Sequence, residues 1–502
     1  MENKTQLAQG FDHEAVIVGT GFGGMGAAIQ LGRQGIKSIL MLDRADDLGG
    51  TWYLNTYPGL AVDIASLSYS YSFEPNPYWS RLYAPGREIM AYANHIADKY
   101  GLRQYMRFKV TVEKVAYDEA GKFWTVYLTG QKPVTTRFLI LATGFLSQPK
   151  KPDIPGVDSF AGKVIHTAEW DHSFDLTGKR TAMIGTGASA VQVLPKLVRQ
   201  VAHMDVYQRT AIWVLPKNNP RFSPVLQKTF ARFPIVQRLF RFISDSILEF
   251  VMVAGVLHNR QFPFLTKAVE KGSRKFLELQ VKDPVLREKL TPKYSFGCKR
   301  PTFSNHYYKT FTLPHVELVT DSIAKIEPDA IVTMDGKRRP IDVLVLATGF
   351  NLWEKGNFPA FDVFGKKGVE LGDWWNRNHY QSYEGITVPG FPNLFSIHGP
   401  YGYSGFCYFN TIENQMRHIK RCLGEMQRRG ANFFEVTEEG KDAYMATMKK
   451  RDADTVFTAG NCAGSNSYYF NQHGEATLLR LSSSWRAARQ SRSFPLSHYV
   501  FE

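Results

Sequence analysis

The hydrophobic pattern contains one local arrangement twice: a short apolar run, a glycine-rich turn and then a helical pattern. The first copy has the run 15–18 (AVIV), the turn 19–24 (GTGFGG) and a predicted helix over 25–33. The second has the run 181–184 (TAMI), the turn 185–190 (GTGASA) and a predicted helix over 189–200. Further apolar runs follow at 38–42 and 204–207. This alternation predicts an α/β fold with two doubly wound domains.

The first glycine turn has the G-x-G-x-x-G spacing of a dinucleotide-binding loop. Gly19 permits the tight turn, Gly21 lets a pyrophosphate approach the backbone, and Gly24 lets the helix pack on the strand. Asp43 ends the next predicted strand, 24 residues after Gly19. An acidic residue at this distance binds a ribose hydroxyl, so the motif predicts a dinucleotide site rather than an ordinary turn.

The second glycine turn differs from the first in the residue that is expected to contact the ribose of the cofactor. Arg209 stands 24 residues after Gly185, where the first unit has its acid. Because arginine can bind a 2′-phosphate through two hydrogen bonds, this unit is predicted to bind NADP rather than NAD. The alternative is that Arg209 is only a surface cation. The residues expected at this site are Gly185, Thr186, Gly187, Ser189, Arg209 and Thr210.

Two longer motifs connect the chain to a known family. Residues 160–171 (FAGKVIHTAEWD) fit F-x-G-x-x-x-H-x-x-x-W-[PD], and residues 49–63 fit [AG]-G-x-W-x-x-x-x-[FY]-P-[GM]-x-x-x-D. With these motifs the chain resembles the type I Baeyer–Villiger monooxygenases over nearly its whole length. Trp170 and Asp171 favour this family over the related monooxygenases that oxygenate nitrogen and sulfur. We expect His166 to be a satisfied structural residue rather than an acid or a base.

The resemblance implies an activity and a domain order. NADPH reduces FAD, the reduced flavin takes up O₂ as a C4a-peroxide, and this converts a ketone to an ester or lactone. The NADP-binding Rossmann-like domain is inserted in the FAD-binding one. The expected ranges are 1–149 and 385–502 for FAD, 150–215 and 296–384 for NADP, and 216–295 for a helical insertion.

The resemblance also assigns the reactive residues. It makes Arg300 the active-site arginine, Asp63 the residue that orients it, and Lys299 a contact of NADP. A fixed guanidinium with five donors suits the negative charge that the reaction develops. Without the resemblance, Lys299 and Arg300 could equally well be an ordinary pair of surface cations with no role in catalysis or binding. The FAD-binding residues are expected to be Gly19, Gly21, Gly24, Asp43, Arg44, Gly50, Thr51, Trp52, Asp63, Tyr69 and Val110.

The chain departs from the family near its C-terminal end. Well-known members carry a Ser-Trp-Tyr-x-Gly-Ala-Asn segment whose Trp covers the nicotinamide, whereas residues 455–461 read TVFTAGN and place Val456 at that position. The cover over NADP and the substrate range are therefore left open.

The predicted insertion carries a strong helical pattern. Residues 230–257 alternate apolar side chains with Arg238, Arg241, Asp245 and Glu249, which predicts one or two amphipathic helices. We expect them to pack on a core of their own. A wall for a lipophilic substrate is an alternative, and a peripheral membrane contact is a less favoured one.

Composition narrows the remaining possibilities. The net charge is +15, but no long basic run or nucleic-acid motif occurs, so we expect small-molecule partners, a ketone and O₂, and no nucleic acid. The four cysteines lack C-x-x-C spacing, so we expect no metal site, no redox pair and a reducing, cytoplasmic setting. Residues 1–14 lack an apolar signal core.

Two alternative functions remain at this point. One is a monooxygenase that oxygenates nitrogen or sulfur, and the other is a disulfide reductase or diaphorase. The oligomeric state is left open.

Overall fold

A computed structural model describes residues 10–353, 355–405 and 407–502. The prediction that residues 1–14 lack an apolar signal core therefore falls largely outside the described residues. The strands are β1 (His13–Val18), β2 (Ile39–Leu42), β3 (Met106–Arg107), β4 (Val112–Asp118), β5 (Phe123–Leu128), β6 (Val134–Leu141), β7 (Gln148–Pro149), β8 (Lys163–His166), β9 (Arg180–Ile184), β10 (His203–Tyr207), β11 (Val214–Leu215), β12 (Thr302–Phe303), β13 (Val316–Val319), β14 (Ile323–Glu327), β15 (Ala330–Thr333), β16 (Arg338–Pro340), β17 (Val343–Leu346), β18 (Phe350–Asn351), β19 (Asp362–Phe364), β20 (Leu394–Ser396), β21 (Phe434–Val436) and β22 (Tyr499–Phe501).

The α-helices are α1 (Phe22–Arg33), α2 (Thr51–Leu54), α3 (Gly86–Lys99), α4 (Ala188–Leu197), α5 (Pro224–Arg232), α6 (Pro234–Leu248), α7 (Gly255–Leu257), α8 (Pro263–Gln280), α9 (Pro284–Leu290), α10 (Tyr307–Thr310), α11 (Leu371–Asn378), α12 (Tyr408–Arg429), α13 (Glu438–Asp452), α14 (Val456–Ala459) and α15 (Ser484–Ser493). A π-helical segment, Glu249–Ala254, joins α6 to α7. Short 3₁₀ turns span Leu102–Tyr105, Val157–Ser159, Lys366–Gly368 and Leu496–His498.

The first glycine loop belongs to an eight-stranded sheet. Its strand order is β19-β4-β5-β6-β1-β2-β3, and β20 also pairs with β6. Strand β1 lies between β2 and β6 and is parallel to both. Residues 15–18 of β1 are buried, as expected of a central parallel strand covered on both faces.

The second glycine loop belongs to a sheet of five parallel strands, ordered β13-β10-β9-β17-β8. Its central strand β9 leads into that loop and then into α4. The α/β fold with two Rossmann-like units predicted from the apolar runs is confirmed.

One strand returns to the first sheet earlier than the sequence indicated. Strand β19 pairs in parallel with β4, although residues 296–384 were expected in the second nucleotide unit. The three-residue strand has no turn or composition signal that marks a change of unit. The pairing moves residues 362–364 to the first sheet.

The segment between β11 and β12 is helical and contains α5 to α9. Within it, α6 does not pack as expected, because apolar side chains such as Phe242 and Ile247 point into solvent. The expectation of a self-contained core is wrong for this helix, since helical periodicity does not tell which face is covered. Among the described residues, no helix is long and apolar enough to cross a membrane.

Candidate active site

Each glycine loop is pressed against the end of a neighbouring strand. Gly19 and Gly185 have φ values of +111° and +109°. A Cβ at either residue would collide with a backbone carbonyl, that of Ala142 or that of Ala347. A Cβ at Gly24 would likewise collide with the carbonyl of Gly19. These three positions therefore require glycine for backbone and packing reasons.

The middle glycines leave room for a ligand. A Cβ on Gly187 would meet no atom within 4 Å, and a Cβ on Gly21 would lie 3.6 Å from the Cα of Gly50. Gly21 and Gly187 are the N-cap residues of α1 and α4. Backbone N–H groups at a helix start bind phosphate oxygens. Each glycine loop, together with the helix start that follows it, therefore fits the pyrophosphate of a dinucleotide, and we call these two sites the glycine cradles.

The acidic residue after β2 is held in a fixed orientation. Asp43 accepts hydrogen bonds from Thr20 N at 2.8 Å, Thr20 Oγ1 at 2.7 Å and Ala45 N at 3.0 Å. Val110 donates its N–H to the Asp43 carbonyl. Arg44 is exposed and donates to the carbonyl of Ser147. Asp43, Arg44 and Val110 thus lie together at the carboxyl end of β2, where the adenosine half of FAD is expected.

The loop after Gly50 brings the other expected flavin residues together. Thr51 begins α2, and Trp52 donates its Nε1–H to the Tyr69 hydroxyl at 3.1 Å. The Tyr69 ring packs edge-on against Phe409, with centroids 5.0 Å apart. Burial raises the pKa of Tyr69 well above its usual value, so its hydroxyl stays protonated.

Asp63 and Arg300 form a bidentate ion pair. Arg300 Nε and Nη2 donate to the two carboxylate oxygens of Asp63 at 2.7 and 2.8 Å. Burial alone would raise the pKa of Asp63, but the charge and hydrogen bonds of Arg300 outweigh it and the net shift is downward. Burial opposes the charge of Arg300, yet Asp63 holds its pKa well above the ordinary value. Both residues therefore stay charged.

Several residues near this pair were not found from the sequence. Burial raises the pKa values of Tyr403 and Tyr468, and both hydroxyls hydrogen-bond to Arg300. Lys217, at the start of the expected insertion, and Tyr83 also lie near Asp63. Burial lowers the pKa of Lys217 and raises that of Tyr83. None of the four stands in a motif with a defined spacing. Only the glycine-rich turns before Tyr403 and Tyr468 could have drawn attention to them.

The predicted NADP residues lie near one another. Lys299 is half-buried and close to Arg209, and desolvation followed by the charge of Arg209 lowers the pKa of Lys299 to about 8. Thr186 Oγ1 donates to the Thr210 carbonyl at 2.9 Å, which joins the glycine loop to the segment after β10. Lys299 forms no ion pair within the described part of the chain. Two neighbouring cations at the end of β10 suit a phosphate group.

The two nucleotide units contact each other through α4. Gln192 of this helix accepts hydrogen bonds from the Tyr57 hydroxyl at 3.3 Å and from Ala61 N at 3.1 Å, and it donates to the Ala61 carbonyl. Ser189 also hydrogen-bonds to Tyr57. A Cβ on Gly59 would lie 2.7 Å from the Gln192 carbonyl. These contacts fix the loop that carries Asp63 relative to the second nucleotide unit.

The family fingerprint around His166 is structural. His166 Nδ1 accepts the N–H of Ala168 at 3.1 Å, and Nε2 lies 3.3 Å from the Thr348 hydroxyl. Burial lowers the pKa of His166, so its imidazole is neutral. Phe160 is buried, and Asp171 forms an ion pair with Lys163. His166 thus joins the ends of β8 and β17 and makes no contact with Arg300.

A disulfide joins the C-terminal segment to the turn that precedes Arg300 and β12. Cys298 and Cys462 are bonded although they are 164 residues apart. The sequence did not predict this bond, because the expectation of no redox pair rested on C-x-x-C spacing, and adjacency in space leaves no spacing signal in the sequence. Val456 is buried and would lie 3.3 Å from a Cβ on Gly297. The loop that follows reaches the NADP unit, where Asn466 Nδ2 donates to Thr210 Oγ1 at 2.7 Å.

Comparison with known proteins agrees with this geometry. A family model described as pyridine nucleotide-disulphide oxidoreductase matches residues 16–238. A Baeyer–Villiger monooxygenase of Pseudomonas aeruginosa is 36% identical over 97% of this chain and 91% of its own length. One of Streptomyces coelicolor is 35% identical over 97% of this chain and 93% of its own. The crystal structure of OTEMO in complex with FAD and NADP superimposes with a TM-score of 0.86, at 28% identity, over 98% of this chain and 100% of that one.

The matches to Baeyer–Villiger monooxygenases extend over 97% of the chain, whereas the pyridine nucleotide-disulphide oxidoreductase model matches residues 16–238. The extent and identity of the matches, together with the two glycine cradles, identify both cofactors as FAD and NADPH. The chain belongs to the Baeyer–Villiger monooxygenases, flavoprotein enzymes that use NADPH to insert one oxygen atom of O₂ beside a ketone carbonyl.

Proposed function

We propose that Arg300 is the catalytic residue of ketone oxygenation and that Asp63 is its positioning residue. When bound, FAD accepts a hydride from NADPH and activates O₂. The task left to the protein is to stabilise negative charge that grows during oxygen transfer, in a site that excludes water. The bidentate pair between Asp63 and Arg300 is the observation that carries this proposal.

The geometry suits Arg300 to this task in two ways. Asp63 accepts hydrogen bonds from Nε and Nη2 of Arg300, which fixes the guanidinium plane. Nη1 takes no part in these two hydrogen bonds. Because Asp63 keeps the pKa of Arg300 high, the cation persists at every pH at which the enzyme is folded. A fixed and permanent cation stabilises a developing anion without reorganising at the moment of reaction.

Arg209 and Lys299 are proposed to bind the 2′-phosphate of NADPH. A pair of cations attracts this group, whereas the 2′-hydroxyl of NADH offers it no charge. Gly185, Gly187 and the start of α4 would hold the pyrophosphate, with Thr186, Ser189 and Thr210 around it. Gly19, Gly21 and Gly24 would hold the pyrophosphate of FAD in the same way, and Asp43 would bind a ribose hydroxyl.

The surroundings of Arg300 support an apolar ketone as the substrate. The hydroxyls of Tyr403 and Tyr468 hydrogen-bond to Arg300, and burial of both aromatic side chains raises their pKa values, so both hydroxyls stay neutral. Aromatic walls with one fixed cation favour a carbonyl compound with an apolar body over an anionic one.

Product analysis tests this proposal. Purified, FAD-loaded enzyme is given NADPH in air with cyclic, linear and aryl ketones and one thioether. Ester or lactone from an apolar ketone, lost in Arg300→Ala but retained in a variant of the exposed Arg199 such as Arg199→Ala, is the expected result. Sulfoxide alone, or ketone oxygenation that survives in Arg300→Ala, would contradict the assigned role.

A further inference from the structure

Helix α6 carries an apolar stripe that faces solvent. Its outward side chains recur at helical spacing, and their exposed fractions lie between 49% and 70%. They are Ile235, Leu239, Phe242, Ile243, Ile247 and, on the π-helical continuation, Phe250. We call this set the α6 stripe. A soluble helix normally turns such a stripe to the core, so this orientation needs a reason.

The opposite face of the same helix is polar and bonded to the protein. Gln237 Nε2 donates to the Asn76 carbonyl at 2.7 Å, and Arg241 Nη1 donates to the Ser70 carbonyl at 2.9 Å. Glu249 accepts the N–H of Ser484 at 2.9 Å. Rolling the helix to cover the α6 stripe would break these bonds and leave buried polar groups unpaired. The outward orientation of the stripe is therefore fixed by the sequence.

The chain segment that contains the α6 stripe carries exposed charges of one sign up to residue 275, and the next charged residue, Glu278 near the end of α8, is an exposed acid. Between residues 224 and 275, every charged side chain that is exposed is a cation. These cations are Lys228, Arg232, Arg238, Arg260, Lys267, Lys271, Arg274 and Lys275. The acidic residues of this range, Asp245, Glu249 and Glu270, are buried or half-buried. Two more exposed aromatic residues, Phe262 and Phe264, stand at the start of α8.

An apolar stripe within a field of cations matches the surface of an anionic bilayer. Apolar and aromatic side chains enter the boundary between headgroups and acyl chains, while arginine and lysine bind lipid phosphates. A second copy of this chain fits less well, because a two-fold contact through this face would bring the same cations together. Helix α6 would lie on the bilayer surface, since no helix among the described residues is long and apolar enough to cross a membrane.

We propose that the α6 stripe and its surrounding cations dock the enzyme on membranes that contain anionic phospholipids. The contact is peripheral and reversible. It uses none of the residues assigned to FAD, NADPH or the ketone, so it can be tested separately from the proposed function.

Vesicle flotation of the FAD-loaded, full-length enzyme tests the proposal. Vesicles of phosphatidylcholine alone are compared with vesicles of phosphatidylcholine and phosphatidylglycerol, at low and high salt. The enzyme is expected to float with the anionic vesicles, and salt is expected to weaken the binding. The double variant Phe242→Ser/Ile247→Ser is expected to bind at least about tenfold more weakly. Arg232→Gln/Arg238→Gln should lose about fivefold per cation on anionic vesicles only.

The matched control is Met334→Ser, which removes an exposed apolar side chain at the turn after β15. It should bind vesicles like the unchanged enzyme, and all variants should keep their FAD and their NADPH oxidation. Failure to bind anionic vesicles would overturn the proposal, as would equal binding by Phe242→Ser/Ile247→Ser. Light scattering that shows a dimer dissolved by the same double variant would assign the α6 stripe to a subunit interface instead.

Discussion

Asp63 and Arg300 are 237 residues apart in the chain and meet through two hydrogen bonds of 2.7 and 2.8 Å. Asp63 follows the glycine-rich loop of the first nucleotide unit, and Arg300 follows the helical insertion in the second. The contacts of Gln192 with Tyr57 and Ala61 hold these two parts in register. The ion pair therefore links the flavin side of the site to the NADPH side.

The two glycines of the second loop should respond differently to alanine. Gly187→Ala meets no atom within 4 Å, so the enzyme should fold and keep its FAD. The added methyl group would occupy the space of the pyrophosphate, and the KM for NADPH should rise at least about tenfold. Steady-state kinetics and FAD absorbance measure both effects.

Gly185→Ala is the matched control for steric strain. Its Cβ would collide with the Ala347 carbonyl at a positive φ, so it should lower the melting temperature or prevent folding. Equal melting temperatures for the two variants, or unchanged NADPH kinetics in Gly187→Ala, would contradict the assignment of this loop.

Arg209 should determine the choice between NADPH and NADH. A hydrogen bond to a charged group contributes about 1.5–3 kcal/mol, so Arg209→Gln should raise the KM for NADPH by roughly 10- to 150-fold. The KM for NADH should change little. Arg199→Gln, which alters another exposed arginine of the same unit, serves as the control. An equal rise in the KM for NADPH and the KM for NADH would show that Arg209 does not recognise the 2′-phosphate.

Lys299 should make NADPH binding depend on pH. Burial and Arg209 lower its pKa to about 8, so Lys299 is charged below that pH and neutral above it. A neutral lysine no longer attracts a phosphate, and the KM for NADPH should therefore rise as the pH passes through about 8. In Lys299→Arg the side chain stays charged, and the rise should disappear. The same pH profile in both enzymes would assign the titration to another group.

The disulfide should tie the C-terminal loop to the site. Alkylation of the denatured, unreduced protein should modify only Cys407 and Cys422. The variant Cys298→Ser/Cys462→Ser should lose up to about 5 kcal/mol of unfolding free energy, because the bond closes a long loop of 164 residues. Its loop near Thr210 should loosen, so that the KM for NADPH and the release of hydrogen peroxide both rise.

Dithiothreitol provides the control for this effect. It should reproduce these changes in the unchanged enzyme and have no further effect on the double variant. Four modified cysteines before reduction would contradict the presence of the bond.

Local constraints decided which parts of the molecule could be predicted. The turns at Gly19 and Gly185 were predictable, because a positive φ and a close carbonyl leave no other residue suitable at these positions. The contact between Cys298 and Cys462 was not, since it depends on how distant segments pack. The same is true of Tyr403 and Tyr468. The outward face of α6 was also hidden, because its direction depends on polar bonds to Asn76 and Ser70.

The most direct test of the role of Arg300 is to measure the two half-reactions separately in Arg300→Ala. Reduction of bound FAD by NADPH is followed without oxygen in a stopped-flow instrument, and product is then measured after addition of O₂ and a ketone. Reduction should stay within about tenfold of the unchanged enzyme, while ester formation should fall by at least about 100-fold. Asp63→Asn should show the same division more weakly, because it keeps the shape but loses the charge. Loss of reduction and oxygenation together, or ester formation at an unchanged rate, would contradict the role assigned to the Asp63–Arg300 pair.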